Sequence, residues 1–307
     1  MRTRKWFLCC LILICSVFTA CGKEEERKLQ IVFKYRGDYW NAFDLSGSVI
    51  PNQEKFEELA QNYIQKAEKL LGNYGWWEKI NPEADTLILY LTISGKTETV
   101  SSSGYGGKGL DNEVMIGVSL SGNALMEYHS DAALAHELTH IMVGPSFSLS
   151  LEEGLCQYVQ ATIGVTSQMP WIDENRITFV WVNENRSTFE QYFKTYHEYF
   201  KTDAEEAAQK LQDIIDSVGN ANRQYPKGKK NIWMLYSESF VRYLMSQYGV
   251  DRTMELITAG EEESAYEEIL GKNLTELKEE WISSVEALEQ QYTLEEIKKI
   301  ESEFLLK

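Results

Sequence analysis

The spacing of apolar and polar positions divides the chain into a mixed front half and a helical back half. Residues 29–35 (LQIVFKY) and 86–93 (TLILYLTI) are short runs rich in branched and aromatic side chains, which predicts two strands. Between them, Phe56, Leu59, Ala60, Tyr63, Ala67 and Leu70 recur at the spacing of one helix face over residues 53–71, and Gly72 stops the pattern. Residues 113–120 read as a third strand, antiparallel to 86–93. The intervening 101–109 (SSSGYGGKG) reads as a flexible connection able to act as a flap. Residues 130–142 are apolar on most sides, which predicts a buried helix, and 151–163 predict a second. Helical spacing then dominates at 187–217, 232–248, 251–259 and 274–305. The fold class is α+β, a mixed sheet with helices followed by a mainly helical subdomain. The expected boundaries are 29–170 and 171–307.

The first 28 residues follow neither pattern. Arg2, Arg4 and Lys5 precede an apolar run at 6–20 (WFLCCLILICSVFTA), too short to span a bilayer and suited to an export signal. The run ends in Phe18-Thr19-Ala20-Cys21-Gly22, which resembles the lipobox of bacterial lipoproteins, with Phe18 in place of the usual Leu. That resemblance implies removal of 1–20, a lipid on Cys21 and membrane anchoring on the extracytoplasmic side. A plain signal peptide and an N-terminal membrane helix are the alternatives. Residues 21–28 are charged and without apolar periodicity, as a tether would be.

Composition narrows the classes. At 43% hydrophobic and 12% aromatic residues, the 307-residue chain has ample material for a core. The formal charge is −17, and loss of Arg2, Arg4 and Lys5 with the leader makes it −20. So acidic a surface argues against nucleic acid as a partner. Of five cysteines, Cys9, Cys10 and Cys15 lie in the leader and Cys21 takes the lipid, so Cys156 is left without a disulfide partner.

Histidine is scarce, and the scarcity is informative. Of His129, His136, His140 and His197, two stand at i and i+4 around a glutamate in His136-Glu137-Leu138-Thr139-His140. On a helix, that spacing puts both rings on one face, close enough to share a metal ion, with Glu137 placed to take a proton from water. Burying two imidazoles and a carboxylate unpartnered costs several kcal/mol, so something must satisfy them. Zinc would; so would carbonyls and acids from neighbouring elements. The nearest acid, Asp131, lies roughly one and a half turns before His136, and the sequence names no group to orient the rings.

The surroundings of the motif resemble the gluzincins, the HExxH zinc peptidases that include thermolysin and the alanyl aminopeptidases. Leu151-Glu152-Glu153-Gly154-Leu155-Cys156-Gln157-Tyr158 is similar to their L-[SN]-E-G-[FL]-A-x-[YW] segment. Its glutamate before glycine is the third metal ligand, which carries over to Glu153. Val143 and Ser146 stand where a metzincin needs Gly and His. Two other readings remain for this stretch: Ser150 and Glu153 form a capping-box pattern, and Glu152 is an alternative ligand. Gly154 and the small Cys156 would let this helix approach the motif helix. A further stretch, Tyr236-Ser237-Glu238-Ser239-Phe240-Val241-Arg242-Tyr243-Leu244 with Tyr248-Gly249, resembles the helix that follows the zinc motifs in bacterial peptidase MA-like domains.

These resemblances imply a zincin-like fold and a zinc metallopeptidase. Zn²⁺ would sit on His136, His140 and Glu153, Glu137 would be the general base, Tyr236 would stabilise the oxyanion, and a peptide or protein would be the substrate. The strand at 113–120 would lie along the cleft. For Tyr236 the other reading is core packing, because it stands in an aromatic stripe; His197, also among aromatic residues, reads as a packed or surface histidine, with a transition-state role as its alternative. Two rival functions stand beside this one: a catalytically inactive zincin-fold binding module, and a hydrolase of cell-wall amides.

Overall fold

A computed structural model describes residues 29–36, 45, 48–94, 102–121, 130–164, 204–225, 230–259 and 264–289. The leader, Cys21, the tether, His129, His197 and the expected domain boundary lie outside the described residues. Among the described residues, no helix is long and apolar enough to cross a membrane.

The fold is α+β. Strands β1 (Gln30–Arg36), β2 (Thr86–Ser94), β3 (Ser102–Lys108) and β4 (Glu113–Ser121) form one mixed sheet in the order β1-β2-β4-β3. Helix α1 (Gln53–Leu71) connects β1 to β2. It is capped by Asn52, whose side chain accepts from the Lys55 N–H, and closed by Gly72 in the left-handed conformation. Its buried face is Phe56, Leu59, Ala60, Tyr63, Ile64, Ala67 and Leu71; it shares five residues with the face read from the sequence, adds Ile64 and Leu71, and leaves Leu70 only partly buried. The inner face of the sheet carries Leu87, Leu89, Leu91 and Ile93 of β2 and Val114, Ile116, Val118 and Leu120 of β4, all buried.

Two expectations about the sheet are corrected. β4 runs parallel to β2, not antiparallel. The Gly-rich stretch is not a loose connection: it forms β3, antiparallel to β4 and at the edge of the sheet. Alternation of apolar residues is the same in parallel and antiparallel pairs, so it could not set the direction. The glycines have a packing reason. β3 crosses helix α2 (Ser130–Val143), and a Cβ on Gly104 would sit 2.7 Å from the Glu137 carbonyl oxygen. One on Gly106 would sit 2.8 Å from Ile141 Cγ2.

The helical part comprises α3 (Leu149–Ile163), α4 (Ala204–Ser217), α5 (Lys230–Ile257) and α6 (Leu274–Glu289), with a π-turn at Tyr266–Leu270. α5 joins two predicted helices across a kink at Gly249, where φ is 80° and ψ 168°. Sheet and helices share one hydrophobic core, from Leu89 and Ile116 through Leu138 and Leu155 to Phe240 and Trp281.

Gly154 serves a different neighbour from the one expected. Its open side faces α5, not the motif helix: a Cβ there would lie 2.3 Å from the Ser237 carbonyl oxygen. Backbone cannot yield as a flexible side chain can. Gly154→Ala is therefore expected to lower stability by about 1–3 kcal/mol, the usual cost of forced overpacking, as a drop in urea midpoint with unchanged slope.

Candidate metal centre

Helix α2 carries the motif into the core. Leu134, Ala135, Leu138, Ile141 and Met142 are buried around it, and so are the polar His136, Glu137 and Thr139. Thr139 is satisfied inside the helix, its hydroxyl donating to the Ala135 carbonyl at 2.8 Å. The last turn is pinned from outside: Gly144 N–H donates to the His140 carbonyl, and the Asn73 amide donates to the Met142 carbonyl at 2.9 Å.

The two imidazoles meet on one face, as the i, i+4 spacing requires, with their Nε2 atoms 3.1 Å apart. Each ring is held by its other nitrogen. His136 Nδ1 lies 3.0 Å from Gln160 Oε1, and His140 Nδ1 lies 3.0 Å from Glu152 Oε1. A carboxylate only accepts, so His140 donates from Nδ1; both Nε2 atoms are left facing the same space.

Glu153 enters that space from α3. Its Oε2 is 3.2 Å from His136 Nε2 and 3.7 Å from His140 Nε2. The residue is 4% exposed, and Oε2 is buried without a hydrogen-bond partner. Its other oxygen, Oε1, accepts from the Tyr225 hydroxyl. The capping-box alternative fails: the N-cap of α3 is Ser148, which makes no side-chain cap bond. The Ser150 hydroxyl instead accepts from Gly219 N–H. The two adjacent glutamates divide the work, Glu153 facing both rings and Glu152 holding the back of one.

Cys156, one turn after Glu153, is the donor that sequence reasoning missed. His136, His140 and Cys156 each present one donor atom, all within 4.8 Å of one another. This buried group could hold a metal ion. Cys156 lies beside two histidines in the fold but not in sequence, and its reading as a small residue masked its chemistry.

The charges are strongly coupled. Burial opposes ionisation of Glu153, but the neighbouring His136 and His140 rings and the Tyr225 hydroxyl outweigh it and hold the carboxyl well below its ordinary value of 4.5. Glu152 is lowered in the same way by His140 and Arg223. Burial also opposes charge on His140; Cys156, Glu152 and Glu153 more than offset it, so the ring's pKa is raised. Burial pushes the Cys156 thiol up to about 11, against the opposing pull of His140.

The group opens into a cleft of about 860 Å³ lined by β3 from Ser103 to Gly106, by His136, Glu137 and His140, and by Glu153, Gln160 and Tyr225. Glu137 is thus brought to the same cleft. Tyr236 is not among the lining residues: it is fully buried on α5, edge-on to Trp281 at 6.2 Å. The phenol at the site is Tyr225, on the connection between α4 and α5, where no motif marked it. Arg223 of the same connection donates to Glu152 Oε2 and to the Ser146 carbonyl.

No protein-family model, curated protein or solved structure matches this chain. Two outcomes follow from the geometry. Metal entry must displace the proton that the raised pKa favours on His140, so affinity should rise about tenfold per pH unit between pH 6 and 8, read by chelator competition. Glu152→Ala removes the acceptor behind His140, and metal affinity should fall about 10–100-fold with the far-UV spectrum unchanged.

Proposed function

We propose that this protein is a zinc-dependent peptidase of the HExxH–Glu type, anchored outside the cytoplasmic membrane through a lipid on Cys21. One observation carries the reading. Glu153 Oε2 is a buried, unpartnered carboxylate oxygen in a triangle with two ring nitrogens, with sides of 3.1, 3.2 and 3.7 Å. Three donors at ~2.0–2.1 Å from a tetrahedral zinc stand about 3.3 Å apart, so the donor set fits that ion. His136, His140 and Glu153 would hold it.

Zinc, when bound, supplies a Lewis acid that acidifies water and polarises a substrate carbonyl. The chain's own residues do the rest. Glu137 accepts the proton of the attacking water and returns it to the leaving amine. Gln160 and Glu152 fix the ring orientations. β3, not the strand at 113–120, is the edge strand along the cleft among the described residues, and it passes over α2 at the Glu137 carbonyl. An extended peptide added to that edge would run past Glu137. The intact Glu137 favours a working hydrolase over an inactive binding module. Peptide and cell-wall amide substrates would both suit the cleft, and parallel assays on peptides and peptidoglycan fragments separate them.

Cys156 supports a second reading, a closed structural site in which Cys156 joins the two His as a donor and Glu153 is the fourth. Metal analysis of purified protein tests both. The peptidase reading expects one zinc per chain, lost in Glu153→Ala and kept in Glu137→Gln and Cys156→Ala. Glu137→Gln should slow hydrolysis by about 10²–10⁴-fold. Loss of zinc from Cys156→Ala would favour the closed site, and protein that takes up no zinc at all sinks both.

A further inference from the structure

The zinc reading leaves one problem unsolved. A carboxylate can bind a metal through one oxygen or two, and two-oxygen binding by Glu153 would fill the position that a hydrolytic site must keep open. Glu153 points one oxygen inward and has the other held. Oε2 faces the two Nε2 atoms, while Oε1 accepts from Tyr225.

We propose that Tyr225 is a positioning residue: its hydroxyl anchors Glu153 Oε1, restricts the carboxylate to one-oxygen ligation and so keeps a coordination position free. The inference rests on the zinc reading and goes beyond it, since zinc could bind here without any such restraint.

The phenol is well held for this task. The connection that carries it docks along the start of α3 at several points. Gly219 N–H donates to Ser150 Oγ, and the Asn222 carbonyl accepts from Leu149 N–H at 2.9 Å. Arg223 spans the Ser146 carbonyl and Glu152 Oε2. The Tyr225 ring then stands edge-on to Trp233 at 5.4 Å. Two residues of one short stretch, Arg223 and Tyr225, therefore grip the two adjacent carboxylates of α3. The ring is still 39% exposed at the cleft, so its hydroxyl is not a core contact whose loss would collapse the fold.

The test is Tyr225→Phe in the full-length protein, with cobalt(II) as a spectroscopic stand-in for zinc. Wild type should show the intense visible absorption of four-coordinate cobalt. The variant should bind cobalt no more weakly but with a severalfold weaker, five-coordinate spectrum, as Oε1 turns to the metal. Hydrolysis should fall about tenfold in kcat at unchanged KM. Identical spectra in wild type and variant would overturn the proposal, as would a variant that loses the metal outright. Should the variant fail to fold, X-ray absorption of zinc-loaded wild type decides: one oxygen from Glu153 supports the restraint, and two refute it while leaving the zinc reading intact. A wild type that binds neither metal defeats both.

Discussion

Two neighbouring carboxylates, the buried Glu153 and the half-buried Glu152, stand at the start of α3 beside two imidazoles, and the rest of the site answers to the cost of placing them there. An isolated buried carboxylate would take up a proton before it stayed charged. Here each is given partners from a different part of the chain. Glu152 takes His140 on one oxygen and the Ser146 N–H with Arg223 on the other. Glu153 takes Tyr225 on one oxygen and presents the other to both rings. The arrangement satisfies every oxygen but one, and that one faces a space shared with two ring nitrogens.

Close backbone approach makes this geometry possible. Gly104 and Gly106 let the edge strand lie directly on the motif helix, and Gly154 lets α3 and α5 meet at the Ser237 carbonyl. A strand of seven residues with three glycines is a poor strand by propensity. It holds because Gly104 and Gly106 let α2 pack directly against it, and because β4 supplies a full register of partners from Lys108 to Ser102. The same buried arrangement sets the polarity of the cleft, with backbone edge on one wall and titratable groups on the other.

The back half of the chain completes the site. α5 packs on α3 through Gly154 and carries a buried Glu238–Arg242 pair, with the Arg242 guanidinium 5.0 Å from the Tyr158 ring centre. The connection ahead of α5 delivers Arg223 and Tyr225 to the two glutamates. Sheet, motif helix and helical part form one core around the donors, so the site depends on chain segments about 90 residues apart in sequence, from His136 to Tyr225.

Local periodicity and short spacings were legible in the sequence. The i, i+4 histidines fixed a shared face, the helix rule fixed α1 to its terminal residues, and the resemblance of residues 151–158 to the gluzincin segment pointed to Glu153, whose Oε2 the fold brings to the two rings. Strand direction was not, because alternating burial is identical in parallel and antiparallel pairs; nor was β3, whose glycines signal a loop until a helix is laid against them. Tyr236 stood out through its place in the resembling helix, while its aromatic stripe pointed to the core, where the fold packs it against Trp281. Cys156, Gln160, Arg223 and Tyr225 carry no motif. Their positions at the donors come from helix packing and chain closure, long-range contacts that composition and spacing cannot encode and only the folded chain decides.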